Sequence, residues 1–243
     1  MIVGLIPSRI DSKRLKNKPL LEINNLPIVV HTFKRAQLSK NLDDLIVCTD
    51  SHKIKKVVEK HGGKCLITSK KHINGTERIN EVAKKLKAKL IVDIQGDEPL
   101  LNPKHIDQVI KFHVKNFHFD IILPTLRFRS PESKNIVKVV SNSNNRVLYL
   151  SRSPIPFSFK KKPKFYNKHL SIISFKPQAL KKYCQLKETY LEKIEGIELL
   201  RAIENNLSIG TFSIKSDTFS VDIKEDYLRA IQAFKKDKFK NAY

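Results

Sequence analysis

The sequence has little glycine, with 7 glycines among 243 residues, and this scarcity limits how the chain can bind phosphate. Neither a G-x-G-x-x-G fingerprint nor a G-x-x-x-x-G-K-[ST] loop is present. The glycine-rich loops of Rossmann dinucleotide-binding proteins and of P-loop proteins are therefore excluded. Any phosphate group would have to be neutralised by side-chain cations rather than by a cradle of backbone amides.

Cysteine is also scarce: Cys48, Cys65 and Cys184 lie far apart, form no C-x-x-C pair and are odd in number. This pattern fits buried thiols of a reducing cytoplasm better than disulfides or a zinc site. The apolar runs are interrupted within about eight residues, too soon for a membrane span. The N-terminus resembles a strand rather than a signal peptide. We therefore expect a cytoplasmic protein without a membrane partner.

The motifs of common hydrolases are missing as well. Neither H-E-x-x-H nor a nucleophile elbow is present, so nothing supports zinc-protease or serine-hydrolase chemistry. Six histidines show no metal-ligand spacing and are expected at the surface: His31, His52, His61, His105, His113 and His118.

Acidic residues are few, 24 against 47 basic ones, which gives a net charge of +23. Dense lysine and arginine make a nucleic-acid-binding protein one hypothesis. The lysines recur along the whole chain, however, in pairs such as Lys55-Lys56 and Lys181-Lys182, and no RNA- or DNA-binding signature accompanies them. We favour a compositional bias and expect no nucleic-acid partner.

The first half of the chain alternates short apolar runs with helical patterns. The predicted strands are 2–6, 45–48, 65–67 and 90–94. Helices are predicted after Pro27, Asp50 and Arg78, and over 103–116. This alternation at short spacing predicts βαβ units and a mostly parallel sheet that is covered by helices on both faces.

The rhythm changes near residue 120. Strand-like runs follow at 121–123, 136–140, 147–150 and 170–175, and the turn-rich link 142–145 favours antiparallel pairing. The remaining predictions are a mobile basic and aromatic loop at 157–168, helices at 191–205 and 224–237, and a strand at 209–214. We predict an α/β protein with a Rossmann-like sheet: one domain, 1–243, with an antiparallel insertion at 120–176.

A basic loop follows the first predicted strand. Five cations stand within ten residues: Arg9, Lys13, Arg14, Lys16 and Lys18. Open α/β sheets bind ligands beyond the carboxyl ends of their strands, which is where this loop would lie. A solvated basic loop is the alternative.

A second polar stretch, Gln95-Gly96-Asp97-Glu98-Pro99, follows the predicted central strand. A carboxylate that faces a basic phosphate-binding loop can hold Mg²⁺ between substrate phosphates. Glycine, aspartate and proline are also ordinary turn residues, so a strand-ending turn is the alternative. Two such features at one crevice favour a functional site.

These stretches belong to a collinear series of motifs. The series is IPSRIDSKRLKNKPL (residues 6–20), Thr49-Asp50, H-x-x-GTER (72–78), QGDEP (95–99), N-x-VKVV (135–140), LYLSRSPIP (148–156) and Ser220-Val221-Asp222. Over nearly the whole chain it resembles the CMP-Kdo synthetase family, where Kdo is 3-deoxy-D-manno-octulosonic acid.

The resemblance implies an enzyme that joins CTP and Kdo to give CMP-Kdo and pyrophosphate, with Mg²⁺, for lipopolysaccharide synthesis. It also implies a nucleotide-binding α/β sheet and a homodimer formed through the antiparallel insertion.

The resemblance further implies roles for particular residues. The implied catalytic residues are Arg9, Lys18 and Asp97. The implied nucleotide-binding residues are Arg9, Ser12, Arg14, Lys18, Thr76, Arg78 and Gln95. The implied sugar-binding residues are Arg152, His169 and Glu198. The implied magnesium ligands are Asp97 and Asp222.

Some positions depart from the family pattern. Lys16-Asn17 replaces a Pro-Gly pair in the basic loop, which changes the turn chemistry and adds a cation. Ser171, Ile173 and Leu199 replace a glycine, a tyrosine and a glutamine in segments on the sugar side of the family. A related acidic keto-sugar, such as 8-amino-Kdo or a nonulosonic acid, therefore remains an alternative acceptor.

Overall fold

A computed structural model of the protein describes residues 1–12, 14–216 and 220–243. Lys13 of the predicted basic loop lies outside these described residues. Of the described residues, 1–108 and 220–243 form a first structural unit and 109–216 form a second.

The strands are, in chain order, β1 (Ile2–Ser8), β2 (Glu22–Ile23), β3 (Leu26–Pro27), β4 (Asp44–Thr49), β5 (Lys64–Ile67), β6 (Leu90–Asp93), β7 (Ile121–Phe128), β8 (Lys138–Ser141), β9 (Val147–Ser151), β10 (Tyr166–His169), β11 (Ile173–Phe175) and β12 (Ile209–Ile214). The helices are α1 (Ile28–Gln37), α2 (His52–Lys60), α3 (Gly75–Ala83), α4 (Pro103–Lys115), α5 (Pro177–Gln185), α6 (Tyr190–Glu195), α7 (Leu200–Glu204) and α8 (Lys224–Lys235). A 3-10 helix covers Lys18–Leu20.

The first unit is built on a parallel sheet. β1 pairs in parallel with β4 on one side and β6 on the other, and β4 pairs in parallel with β5. β1 and β6 are buried almost throughout, as continuous apolar runs in a covered parallel sheet should be. The α/β class and the parallel strands predicted from the first half of the sequence are confirmed.

α8 shows how the end of the chain joins this unit. Ala230 and Phe234 on α8 pack with Ile23, Ile28 and Val221 in one buried cluster. Burial of this apolar face, rather than helix propensity, holds such a short helix in place.

The second unit is organised around the long strand β7. β12 pairs with β7 in parallel along one edge, whereas β10 and β11 pair antiparallel along the other. β8 pairs antiparallel with β10, and β9 pairs antiparallel with β8. The predicted antiparallel pairing is confirmed, and the boundaries of the predicted insertion stay a prediction.

Two predictions in the second unit are wrong. The segment 157–168 is not a loop throughout, because Tyr166, Asn167 and Lys168 pair with β7 as part of β10. The helix predicted over 191–205 is two helices, because Gly196 adopts a left-handed conformation (φ 60°) and ends α6. A single helix would direct Ile194 inward. With the helix broken after α6, Ile194 faces solvent, and 69% of the residue is exposed.

The surface position predicted for the histidines is wrong for His31, His105 and His113, which are buried. His113 Nε2 donates to Phe119 O (3.2 Å) and Nδ1 accepts from Ser174 Oγ (2.6 Å), so a neutral imidazole is fully satisfied there. Burial lowers the pKa of His113 to about 4, with Lys176 acting in the same direction. Burial also lowers the pKa of His31.

The prediction of buried thiols is confirmed for Cys48 and Cys65, whereas Cys184 is half-buried, and all three lie outside disulfides. Across the described ranges, the helices are all too short or too polar to cross a membrane.

Candidate active site

The site is built where β1 ends, and two glycines let other segments approach that end. A Cβ atom at Gly96 would lie 2.6 Å from the carbonyl oxygen of Pro7, and one at Gly75 would lie 3.0 Å from the Pro7 ring. Glycine at position 96 is therefore required by close packing, which explains the glycine of the QGDEP motif. The 95–99 segment and the start of α3 are thereby brought against the end of β1.

The basic loop follows β1. Three of its cations, Arg9, Arg14 and Lys16, are exposed, and Ser12 is half-buried. Asn17 closes the loop in the left-handed region, with φ 54° and ψ 26°. Asparagine adopts this conformation more readily than most other residues. Asn17 thus supplies a left-handed turn at the position where the family pattern has glycine.

The 3-10 helix then fixes the next cation. Pro19 is buried, and Lys18 N donates to Leu15 O (3.1 Å) while Leu21 N donates to Lys18 O (3.2 Å). The backbone of Lys18 is held at both of its hydrogen-bonding groups, so its side chain leaves from a defined point.

Lys18 meets two carboxylates. Its Nζ lies 2.6 Å from Asp97 Oδ2 and 3.1 Å from Asp222 Oδ1, and Arg14 Nη2 lies 2.9 Å from the same Asp222 oxygen. We call Arg14, Lys18, Asp97 and Asp222 the carboxylate–lysine cluster. Lys18 is 14% exposed and the two aspartates are 24% and 34% exposed, so solvent reaches the cluster.

Asp222 is held beside Asp97 by its neighbour Val221. The Val221 side chain is fully buried in the cluster that includes Ile23 and Phe234, and its N–H donates to Asp97 O (2.9 Å). Asp222 N in turn donates to Asp226 at the start of α8 (3.2 Å). The Ser-Val-Asp motif therefore consists of an apolar anchor followed by the carboxylate that it places.

The carboxylate–lysine cluster fits a magnesium ion chemically. Two carboxylates already converge on one cation, and carboxylate oxygens are the ligands that Mg²⁺ prefers in proteins. Within residues 1–12, 14–216 and 220–243, no group of three or more His, Cys, Asp or Glu side chains could hold a metal. Two protein carboxylates suit an ion that keeps several waters and is completed by substrate phosphates.

Arg78, one of the residues expected to bind the nucleotide, is buried among polar partners. It is 3% exposed, and its guanidinium donates to Asp50 Oδ2 (2.7 Å), Thr68 Oγ1 (2.6 Å) and Ser69 O (3.3 Å). It therefore holds strand ends together, and its contact with a nucleotide stays a prediction. Thr76 is half-buried in the first turn of α3.

Asp50 is a residue whose part sequence analysis missed. Asp50 and Ser51 are both favourable N-cap residues for the helix predicted after Asp50, and Ser51 is the one whose side chain accepts from Ile54 N (3.4 Å) at the start of α2. Asp50 instead pairs with Arg78 and accepts from Ile10 N (3.5 Å) in the basic loop. The Thr49-Asp50 step was the available signal.

Gln95 is half-buried, and its Nε2 lies 3.2 Å from both carboxylate oxygens of Asp93.

The three residues expected to bind sugar lie in the second unit. Arg152 donates from Nε, Nη1 and Nη2 to the carbonyl oxygens of Glu195 (2.8 Å), Lys134 (2.9 Å) and Gly196 (3.1 Å). Glu198 is exposed and His169 is half-buried. Desolvation, with Lys168 acting in the same direction, lowers the pKa of His169 to about 4, so this imidazole is neutral at pH 7.

Lys138 beside Arg152 is fully buried, which its lysine identity did not suggest. Its ammonium donates to the carbonyl oxygens of Ser133 (3.0 Å), Ile136 (2.8 Å) and Arg152. Burial and the nearby Arg152 lower the pKa of Lys138. In sequence the signal was a lysine inside the apolar run of the N-x-VKVV motif.

Comparison with known proteins identifies relatives along nearly the whole chain. The family model described as Cytidylyltransferase matches residues 3–209. A protein of Thermodesulfovibrio yellowstonii named 3-deoxy-manno-octulosonate cytidylyltransferase is 38% identical over 241 residues, covering 92% of this chain and 94% of that protein. A Rickettsia canadensis protein of the same name is 37% identical and covers 96% of both chains.

A similar solved structure is described as CMP:2-keto-3-deoxy-manno-octonic acid synthetase complexed with CTP. It has a TM-score of 0.93 and 30% sequence identity, and the match covers 97% of this chain and 98% of that one.

Proposed function

The chain belongs to the cytidylyltransferase family, and we propose that it transfers a cytidylyl group from CTP to Kdo. The anomeric hydroxyl oxygen forms a bond to the α-phosphorus, the bond between the α-phosphorus and the α–β bridging oxygen breaks, and pyrophosphate leaves. The hydroxyl proton passes to solvent. The observation that carries this function is the convergence of Lys18, Asp97 and Asp222 at the end of β1.

The basic loop gives the triphosphate its cations. Arg9, Arg14 and Lys18 neutralise phosphate charge, and the Ser12 hydroxyl donates a hydrogen bond. Chemistry at phosphorus needs positioning and charge stabilisation rather than a protein nucleophile, which agrees with this choice of residues. The cytidine is recognised by Thr76, by Gln95 and by the residues that Arg78 holds in place, which are Asp50, Thr68 and Ser69.

Asp97 and Asp222 hold Mg²⁺ in this function. When bound, the ion neutralises charge on the triphosphate and lowers the pKa of the attacking hydroxyl. The two aspartates supply the negative charge that keeps the cation at the end of β1.

Kdo is the acceptor that we propose, bound by Arg152, His169 and Glu198. Two of the three departures from the family pattern do not alter the site surface, because Ile173 and Leu199 are buried, 8% and 7% exposed. These side chains pack in the core of the second unit. Nothing in their placement favours 8-amino-Kdo or a nonulosonic acid over Kdo.

We also propose a cytoplasmic homodimer formed through the second unit. β9 ends the strand order of that unit and exposes Leu148, while α6 exposes Tyr190 and Ile194; these residues are 51%, 73% and 69% exposed. Exposed apolar side chains near the last strand of a sheet are typical of an association surface. Light scattering at micromolar concentration should give twice 28.1 kDa, and a monomer would contradict this assignment.

The reaction is tested by measuring pyrophosphate release from CTP, UTP, ATP and GTP, each with Kdo, 8-amino-Kdo and a nonulosonic acid. CTP with Kdo should give the highest kcat/KM, and release should require Mg²⁺. No release from CTP with any of these sugar acids would contradict the function. A higher kcat/KM with another acid would replace Kdo as the acceptor.

A further inference from the structure

On the premise of this function, we propose that Lys18 competes with Mg²⁺ for Asp97 and Asp222, so that nucleotide binding is what admits the metal. The Lys18 ammonium bridges one oxygen of each carboxylate, at 2.6 Å and 3.1 Å. A metal bound by both aspartates would lie on the same two carboxylates as this ammonium.

The charges of the cluster show why sharing is unfavourable. Asp97 and Asp222 carry two negative charges, and Lys18 and Arg14 carry two positive charges, so the cluster is neutral as it stands. A divalent ion held by the same carboxylates would lie next to the ammonium, and like charges at such separations repel. Binding of the metal therefore requires that Lys18 leaves at least one carboxylate.

The structure allows this movement without rearrangement of the backbone. Lys18 is fixed at its main chain by the 3-10 helix, and Pro19 next to it is buried. Its flexible four-carbon side chain carries a point charge that can turn about this fixed base. The triphosphate offers that charge a new partner, so CTP removes the competitor and Mg²⁺ gains affinity. By linkage, the metal and the nucleotide strengthen each other's binding by the same factor.

Arg14 is the matched control. It contacts the same oxygen of Asp222 (2.9 Å) but not Asp97, and its side chain is 65% exposed. Its removal deletes one positive charge from the cluster and leaves the bridge between the two carboxylates intact. A pure effect of net charge would appear equally in Arg14→Met and Lys18→Met.

The test uses Mn²⁺ as the metal probe, with free Mn²⁺ followed by electron paramagnetic resonance in the absence of nucleotide. We expect Lys18→Met to bind Mn²⁺ at least about tenfold more tightly than wild type, since a charge-assisted bond no longer competes. Arg14→Met should gain much less, and Lys18→Arg should stay weak. In Lys18→Met, a non-hydrolysable CTP analogue should raise Mn²⁺ affinity by a smaller factor than in wild type.

Thermal melting gives a second measurement. Without Lys18 the two carboxylates repel, so Lys18→Met and Lys18→Gln should melt lower than wild type, and Mn²⁺ should raise their Tm more than that of wild type. Lys18→Gln serves if Lys18→Met does not fold. Unchanged Mn²⁺ affinity in folded Lys18→Met or Lys18→Gln would overturn the competition.

The magnesium assignment is checked separately. With the CTP analogue present, Asp97→Asn and Asp222→Asn should weaken Mn²⁺ binding, and Lys18→Met with Asp97→Asn should lose the gain. If both aspartate variants bind Mn²⁺ as wild type does, the metal site of the proposed function is wrong. If they weaken binding and Lys18→Met gains nothing, the metal site stands and the competition alone is refuted.

Discussion

The two units use buried and half-buried cations in different ways. In the first unit, Lys18 pairs with the side chains of Asp97 and Asp222 in a cluster that solvent reaches. In the second unit, Lys138 and Arg152 donate mainly to main-chain carbonyl oxygens. Side-chain partners can be exchanged for a ligand, whereas carbonyl oxygens are fixed by the fold. The type of partner and its exposure to solvent, rather than the charge alone, separate a cation that can serve chemistry from one that supports structure.

Arg201 and Glu192, also in the second unit, show that burial matters as well as partner type, because here a side chain is the partner but solvent does not reach the pair. They are 6% and 5% exposed and are joined by two bonds of 2.7 Å and 2.5 Å. Hydrogen bonding to Glu192 raises the pKa of Arg201. Such a pair is expected to contribute to stability without affecting the reaction.

The largest effect is therefore expected for Arg201→Met. It leaves the Glu192 carboxylate buried without its partner, which should lower the free energy of unfolding by about 3–5 kcal/mol. Urea denaturation would measure the loss, and kcat of the folded fraction should remain near wild type. Adding Glu192→Gln should restore part of the stability. A loss below about 1 kcal/mol would show that the pair is not structural.

Asp97→Asn should have the opposite signature. We expect pyrophosphate release to fall at least about 100-fold, because charge stabilisation of the reacting phosphates is lost. The free energy of unfolding should change by less than about 1 kcal/mol, because the ion pair is partly exposed. Asp43→Asn, at a carboxylate that is 59% exposed, is the control and should leave both quantities unchanged. Near-normal release at saturating Mg²⁺ would remove Asp97 from the reaction.

A smaller effect should separate cations within the basic loop. Arg14→Ala should lower kcat/KM by at least about tenfold, since it loses a charge-assisted bond to phosphate. Lys16→Ala should have less effect, because the related family has proline at that position. Equal losses in the two variants would show that the loop acts as a diffuse positive surface.

The smallest effect is expected from pH, and it belongs to the second unit. Burial lowers the pKa of His113 to about 4, below its ordinary value of 6.5. The unfolded chain therefore binds a proton that the folded chain does not, and stability is lost as pH falls from about 6.5 to about 4. We expect a loss of about 1 kcal/mol at pH 6, and almost no loss at pH 7. His113→Gln should flatten this part of the Tm profile against pH, and an identical profile would contradict the assignment.

Much of the first unit could be predicted because its strands are continuous apolar runs that are buried on both faces. Less of the second unit could be predicted, since the conformation of single residues decides where its elements end. Gly196 interrupts an apolar pattern that otherwise fits one helix, and only its left-handed conformation reveals the break. α5 was missed although Ala179, Leu180 and Tyr183 are buried at helical spacing.

The candidate site could be predicted where a cation named from one motif pairs with carboxylates named from others. Lys18, Asp97 and Asp222 were named from motifs, and the structure brings them together. The placement of Arg78 and Arg152 could not be foreseen, because nothing in a sequence shows whether a guanidinium faces a crevice or the protein's own carbonyl oxygens. The prediction that His113 lies at the surface was wrong for a similar reason. Its ring nitrogens bond to Ser174, which is distant in sequence, and to the backbone of Phe119, which follows in a turn.

The bond between Lys18 and Asp222 joins residues that are 204 positions apart. A ribosome delivers Lys18 204 residues before Asp222, so the cluster cannot form until that whole stretch has been made. Asp222 also needs Val221 packed against Ile23 and Ile28 to hold it in place. In the proposed function, a growing chain that has not reached Asp222 therefore lacks one of the two proposed metal ligands and should not consume CTP.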